Sequence, residues 1–347
     1  MRLMQVSQSD LNEVLGAAEQ DLRALHRGRV FLTGGTGYIG CWLLASLLHA
    51  NTALALDIEL TVLSRAPQRF AERYPLLAKH ASMKLVGGDV RDFDFPDGRF
   101  THVIHGATDV IAQQTPVQTF DVTVMGTRRV LDFARQSGAQ RVLLMSSGAV
   151  YGKIPPHIDR IPENYTGAPE TEALASAYGI GKLVTEWLGK AYGEPGVMSC
   201  SSARIFAQMG PNLALDKQFA AGNFLLNALR DEPFVIKGDG TPRRSYMYAT
   251  DLVTWLIGIL VRGRSGRAYN VGSDQGISIR ELALAIARET GHSPDAIQVL
   301  GMPAPGAAPD RYVPDIGRAA NELALHIGVP LDDAIRRTYD WYRSQQC

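Results

Sequence analysis

The chain has 347 residues, enough for a large core and a second lobe. Its 35 basic and 35 acidic residues cancel, which argues against a nucleic-acid or anionic-membrane partner. No apolar run, such as 252–261, is long enough to span a bilayer, no secretory signal pattern opens the chain, and the cysteines Cys41, Cys200 and Cys347 lack metal-ligand spacing, so a reduced, cytoplasmic setting without a metal is expected.

Residues 1–28 repeat Leu11, Val14, Leu15, Ala18, Leu22 and Leu25 at helical spacing. They predict an arm of one or two helices packed on the main domain. From residue 29 short β-rich runs alternate with helical patterns. Strands are expected at 29–32, 60–63, 84–87, 102–104, 141–145 and 199–205, and helices at 39–49, 117–136 and 176–192. This alternation predicts an α/β fold, a doubly wound parallel sheet of the Rossmann kind. A dinucleotide-binding domain is assigned to 29–205 and 245–272. The remaining stretches, 206–244 and 273–347, read as a smaller substrate-binding lobe, with helices at 219–230 and 331–342. Four prolines across 302–314 predict an extended surface loop there.

Thr33-Gly34-Gly35-Thr36-Gly37-Tyr38-Ile39-Gly40 follows the apolar run Val30-Phe31-Leu32. Strand, glycine turn and helix in that order predict a dinucleotide site. Gly34 permits the tight turn, Gly37 lets the backbone approach a pyrophosphate, and Gly40 lets helix and strand pack closely. The helix start, with Tyr38 and Ile39, offers N–H groups to the phosphates.

Tyr178-Gly179-Ile180-Gly181-Lys182 places a phenol and an ammonium one above the other on a helix face. As a base near neutrality a tyrosine needs its pKa lowered by about 3 units, or roughly 4 kcal/mol. A neighbouring Lys182 and a cationic nicotinamide are expected to supply that. Ser146-Ser147-Gly148-Ala149-Val150-Tyr151-Gly152 follows the strand 142–145, so Ser147 stands at a carboxyl end, where ligands bind in such sheets.

The glycine turn with Ser147, Tyr178 and Lys182 resembles the extended short-chain dehydrogenases/reductases, closest to their nucleotide-sugar epimerase/dehydratase/reductase branch. The resemblance covers nearly the whole chain from residue 29. It implies that Ser147, Tyr178 and Lys182 are the catalysts. Asp89 and Val90, in Gly88-Asp89-Val90, match the segment that holds adenine. His105 and Ala107, in His105-Gly106-Ala107-Thr108, match the loop beside the cofactor ribose and phosphates. Arg244, in the turn Gly238 to Tyr246, and Arg311, in Asp310-Arg311-Tyr312-Val313-Pro314-Asp315, are implied to converge on the substrate diphosphate. Asn223 is a weaker candidate for the same role. A homodimer through the helices near 117–136 and 176–192 is implied as well.

Several positions depart from the pattern. Dehydratases of this kind carry an acid pair where this chain reads Gly148 and Ala149, so 4,6-dehydration is not expected. The decarboxylase-type glutamate at the second position is also missing. Thr123 and Ala207 stand where the family has asparagines. An acidic residue usually ends the second strand and holds the NAD ribose. Here Leu63 is followed by Ser64 and Arg65, which admit a 2′-phosphate, so NADP(H) is expected over NAD(H). The implied activity is NADPH-dependent reduction of a keto group on a nucleotide-diphosphate sugar, with a 4-keto-6-deoxyhexose as the leading substrate class. A 4-epimerase with tightly bound NAD(P) is the alternative, and a dinucleotide-sensing regulator a remote third.

Overall fold

The computed structural model describes residues 6–108, 114–215, 219–303, 306 and 308–346. Seven strands form one parallel sheet: β1 (Arg29–Thr33), β2 (Glu59–Ser64), β3 (Met83–Gly87), β4 (His102–His105), β5 (Arg141–Ser147), β6 (Ser199–Ile205) and β7 (Ala268–Val271). Their order is β7-β6-β5-β4-β1-β2-β3. The chain order reverses direction beside β1, which opens a crevice at the strands' carboxyl ends, where ligands bind in such sheets. Six of the strands coincide with those read from the sequence. The seventh, β7, completes the sheet from a segment with no strand expectation.

Period-two alternation divides the core between the two sheet faces. On β1, Val30 and Leu32 join one apolar cluster while Phe31 joins the other; on β5, Leu143 and Met145 oppose Val142 and Leu144 in the same way. The first face is covered by the helices Tyr38–Ala53 and Ala249–Arg262. Both are apolar nearly all round because the sheet lies on one side and further helices on the other. The second face carries the helices Pro116–Gln136 and Ala177–Tyr192 over an aromatic group of Phe31, Phe93, Phe100 and Phe133.

The arm forms two helices, Gln8–Ala17 and Glu19–Ala24. Leu11, Val14, Leu22 and Leu25 are buried in the same cluster as the helix Ala249–Arg262. Each fully buried leucine contributes roughly 1.5–3 kcal/mol of transfer free energy. Arg262 grips Asp21 with two hydrogen bonds of 2.7 and 2.9 Å, and Arg337 on the terminal helix Leu331–Gln346 reaches Glu13 at 2.6 Å. The arm is thus integral to the core. Phe224, Phe234, Leu282, Ile286 and Ile335 belong to a separate buried cluster.

The stretch 302–314 departs from the expected loop. Residues 304, 305 and 307 lie outside the described residues, and Arg311–Tyr312 is a strand. It pairs in parallel with Arg243–Arg244, whose other edge pairs with Ile277–Ser278. Among the described residues no helix is long and apolar enough to cross a membrane, and no cluster of three or more His, Cys, Asp or Glu residues could hold a metal. Cys41 and Cys200 are buried as free thiols; Cys347 lies outside the described residues.

Candidate active site

The glycine turn is shaped by steric demand. Gly34 has φ +73°, and a β-carbon on it would sit 2.5 Å from the Gly106 backbone. A β-carbon on Gly40 would lie 2.3 Å from the Gly34 carbonyl oxygen. Gly37 caps the helix Tyr38–Ala53 with no side-chain hydrogen bond, so no side chain claims the first-turn N–H groups there. The Tyr38 side chain turns inward: its hydroxyl is buried, near the position a β-carbon on Gly210 would take, while Ile39 packs at the edge of the core.

Around that turn, Ser64 ends β2, and its hydroxyl accepts from the Ala66 N–H at 3.2 Å. Arg65 is exposed, and its charge acts on Asp89. Asp89 takes a two-pronged grip from Arg91, at 2.8 and 3.1 Å, which holds its carboxyl below the usual range. Val90 packs where a β-carbon on Gly126 would sit. His105 is fully used inside the fold: one ring nitrogen bonds Thr33 at 2.7 Å and the other Thr127 at 3.0 Å. Burial pushes its pKa down to about 3. The Ala107 N–H donates to Thr33 at 3.2 Å.

β5 delivers Ser147 to the crevice, followed by the 3-10 turn Gly148–Tyr151. The helix Ala177–Tyr192 brings Tyr178 alongside because its face is cut away. A β-carbon on Gly179 would lie 2.7 Å from the Ala149 carbonyl oxygen, and one on Gly181 would lie 3.0 Å from Thr123. Lys182 is buried one helical turn below Tyr178, with its ammonium 5.7 Å from the Tyr178 ring centroid. That ammonium donates to the Met145 carbonyl at 2.6 Å.

The electrostatics differ from the expectation of a lowered tyrosine pKa. Burial pushes the Tyr178 phenol up, and the neighbouring Ser147 hydroxyl opposes that rise. Burial also lowers Lys182 to about 8, against the pull of Glu186. Glu186 stands one turn further along, receives the Ser146 hydroxyl at 2.5 Å and is held by Arg204 at 2.7 Å. Within the protein alone Tyr178 is therefore a protonated phenol at neutral pH. A cavity of about 350 Å³ opens beside it, lined by Ala149, Gly152, Lys153, Glu170 and Ser176 among others.

Further from the glycine turn, the small sheet separates the two arginines. In its parallel pairing Tyr312 stands opposite Arg244, and Arg311 opposite Arg243. Residues paired this way share a face, and neighbours along a strand do not. Arg244 lies 5.8 Å from the Tyr312 ring and pairs with Asp310 at 2.7 Å. Arg311 instead bonds Asp159 and reaches the Pro156 carbonyl at 3.4 Å. The structure therefore does not bring Arg311 beside Arg244; period-two alternation puts Tyr312 there. Asn223 is exposed on the helix Ala220–Arg230.

The model of the NAD dependent epimerase/dehydratase family matches residues 30–272, from the first strand through β7. The chain belongs to this family. UDP-glucuronic acid decarboxylase 1 of Xenopus tropicalis is 28% identical over 324 residues, 92% of this chain and 73% of that protein. UDP-glucuronic acid decarboxylase 3 of Arabidopsis thaliana is 29% identical over 310 residues, covering 88% of this chain and 86% of that protein. Among solved structures, a dTDP-glucose 4,6-dehydratase from Streptomyces venezuelae with NAD bound is 25% identical with a TM-score of 0.75, over 92% of this chain and 98% of that one. An epimerase from Methanothermobacter thermautotrophicus superimposes with a TM-score of 0.76 at 23% identity, over 96% of this chain and 97% of that one.

The residues present in this family member fit a dinucleotide. The turn at Gly34 and Gly37 leaves the helix N-terminus without a side-chain cap, and buried Lys182 stands beside Tyr178. Two residues next to the candidate site escaped the sequence reading. Glu186, four residues after Lys182, was legible as a same-face partner. Tyr312 was hidden because its face depends on a two-residue strand's register.

Proposed function

We propose that the protein reduces a keto group on a nucleotide-diphosphate sugar with NADPH, the substrate class being a 4-keto-6-deoxyhexose. The observation that carries this reading is the site itself: Ser147, Tyr178 and Lys182 meet at the carboxyl end of β5, while Gly148 and Ala149 add no acid or base. The relatives are named for UDP-glucuronic acid and the solved dehydratase for dTDP-glucose, which supports a nucleotide sugar here. Decarboxylation and dehydration call for further proton transfers that positions 148 and 149 do not offer.

The glycine turn and helix start would hold the dinucleotide phosphates, with Asp89 and Val90 at the adenine and Lys182 at the nicotinamide ribose. Exposed Arg65 would pair with a 2′-phosphate; one charge-assisted bond is worth roughly 1.5–3 kcal/mol. When bound, the cofactor supplies the hydride. Tyr178, held protonated by burial, donates the proton to the carbonyl oxygen, a task suited to a neutral phenol. Ser147 donates to the same oxygen and orients it. Lys182, fixed on the Met145 carbonyl, places its charge beside the phenolate left after proton transfer. Arg244 grips the diphosphate and holds the ring for transfer.

Exposed Met125 and Trp187, on the packed helices Pro116–Gln136 and Ala177–Tyr192, support a homodimer through that face.

Fluorescence titration of the nucleotide-stripped protein with NADPH and NADH tests the cofactor, and NADPH oxidation at 340 nm with 4-keto nucleotide sugars tests the reaction. The reading requires about ten-fold preference for NADPH and sugar-dependent oxidation. Redox-neutral interconversion of nucleotide sugars without added cofactor would establish 4-epimerisation by the same residues instead, which the family's NAD dependence favours.

A further inference from the structure

We propose that Asp10 and Glu13 of the N-terminal arm are positioning residues for substrate binding: they tie the segment that follows Arg244 to the terminal helix Leu331–Gln346 and so fix the place of Arg244. This rests on the reading of Arg244 as the diphosphate residue. Both carboxylates precede residue 30, where the matched family stretch begins, so the tie is made from outside that framework. The arm helix Gln8–Ala17 divides its work between two sides. Leu11 and Val14 are buried in the cluster of the main sheet. Asp10 and Glu13, neighbours on the helix surface, serve the other cluster. The buried Asp10 carboxylate accepts from the Tyr248 hydroxyl at 3.1 Å and from Arg337 at 3.3 Å. Glu13 accepts from the Thr250 hydroxyl at 2.8 Å and from Arg337 at 2.6 Å.

Arg337 also lies 5.4 Å from the Tyr248 ring and pairs with Asp333 at 2.7 Å. One guanidinium fork thus serves two arm carboxylates and the tyrosine beside them. Tyr248, Ile335 and Tyr339 belong to the second cluster with Phe224 and Leu282, so these bonds cross from one cluster to the other. They reach Arg244 through a short, enclosed stretch. Ser245, Tyr246 and Met247, which separate Arg244 from Tyr248, are all buried. The Met247 N–H donates to the Ala207 carbonyl at 3.1 Å, and Met247–Tyr248 pairs in parallel with Gln208–Met209. Each residue spans at most about 3.6 Å, so a shift of Tyr248 passes to Arg244 instead of being absorbed. Removing an arm carboxylate leaves Leu11 and Val14 anchored but takes one partner from Arg337, which then moves together with the Tyr248 it covers.

The test is binding to the full-length protein, of UDP, dTDP, GDP and CDP by calorimetry and of NADPH by fluorescence titration. Glu13→Ala should weaken the diphosphate that binds by about three- to ten-fold, with NADPH affinity changed less than about two-fold. Glu13→Gln keeps the volume and the bond to Thr250 but loses the charge facing Arg337, and should move affinity the same way. Asp21→Asn breaks the arm's tie to Arg262 instead. It should lower the melting temperature and leave diphosphate affinity within about two-fold, whereas a merely structural arm would make the two sites alike. In Glu13→Ala/Arg244→Ala the loss should match that of Arg244→Ala alone, because the arm acts through Arg244. Equal weakening of NADPH and diphosphate, a loss in Asp21→Asn as large as in Glu13→Ala, or additive losses in the double variant would each overturn the proposal. If the unaltered protein binds none of the diphosphates, or Arg244→Ala binds them equally well, the diphosphate reading falls and takes this inference with it. If Arg244→Ala weakens them and Glu13→Ala does not, only this inference falls.

Discussion

The proposed cofactor end and the proposed substrate end of the crevice are built by different rules. At the cofactor end the demands are local: Gly34 needs a positive φ, and Gly40 needs the room that a β-carbon 2.3 Å from the Gly34 carbonyl would take. Both residues lie within one turn of β1, so no distant segment decides their role. At the substrate end, Arg243–Arg244 and Arg311–Tyr312 are two-residue strands brought together from distant parts of the chain. A one-residue change of register there would exchange every side chain between faces. A local motif states its own geometry, whereas a short strand borrows its geometry from its neighbour.

The largest expected effect tests the point where both ends meet. Tyr178→Phe should lower turnover about 10²- to 10⁴-fold, the usual contribution of a positioned acid, with NADPH affinity unchanged. Near-normal turnover would remove Tyr178 as proton donor. Gly40→Val challenges the cofactor end: its added side chain collides with Gly34, and overpacking of this kind costs about 1–3 kcal/mol. Thermal denaturation should show the loss together with weaker cofactor binding, and wild-type stability would sink the steric account.

The substrate end is sharpened by comparing two arginines. Arg244→Ala should raise KM ten- to a hundred-fold through loss of charge-assisted hydrogen bonds, while Arg311→Ala should stay within about three-fold. Equal losses in steady-state kinetics would show that the two arginines share the substrate despite lying on opposite faces. Arg65→Ser should reduce the NADPH preference by about ten-fold and leave NADH binding intact. Titration of both cofactors checks this, and an unchanged ratio would leave Arg65 as a solvent-facing residue.

The remaining effect is on stability with pH, away from either end of the crevice. His102 and His105 are pushed by burial from an ordinary value of 6.5 to about 4 and about 3. The unfolded chain takes up these protons below pH 6.5 while the folded one resists. Stability should therefore fall as pH drops from 6.5 toward 4, by about 1.4 kcal/mol per pH unit for each histidine. In His105→Gln the acid dependence measured by urea denaturation should flatten by about one proton. An unaltered slope would mean that His105 protonates freely in the fold.

Six of seven sheet strands were legible because each couples a β-rich run to turn residues. β7 was not: Ala268–Val271 is four residues long and is stabilised by pairing with β6 from far along the chain. The pairing of Tyr178 with Lys182 was visible as an i, i+4 spacing. Its electrostatics were not, because burial raises the phenol and lowers the ammonium in ways that no spacing encodes. The same holds for His105, which reads as a loop residue beside the cofactor and proves to be a buried bridge between Thr33 and Thr127.

By itself the sequence determined the parallel α/β framework, the glycine turn and the order of Ser147, Tyr178 and Lys182, since strand period, helix period and glycine sterics all act within a few residues. Tertiary structure decided which side chains face the crevice at its far end. There Tyr312 lies beside Arg244 and closes off position 148, while Arg311 turns to Asp159. The reason is physical: facing in a sheet follows from register, and register between two short strands is set by the packing that brings them together.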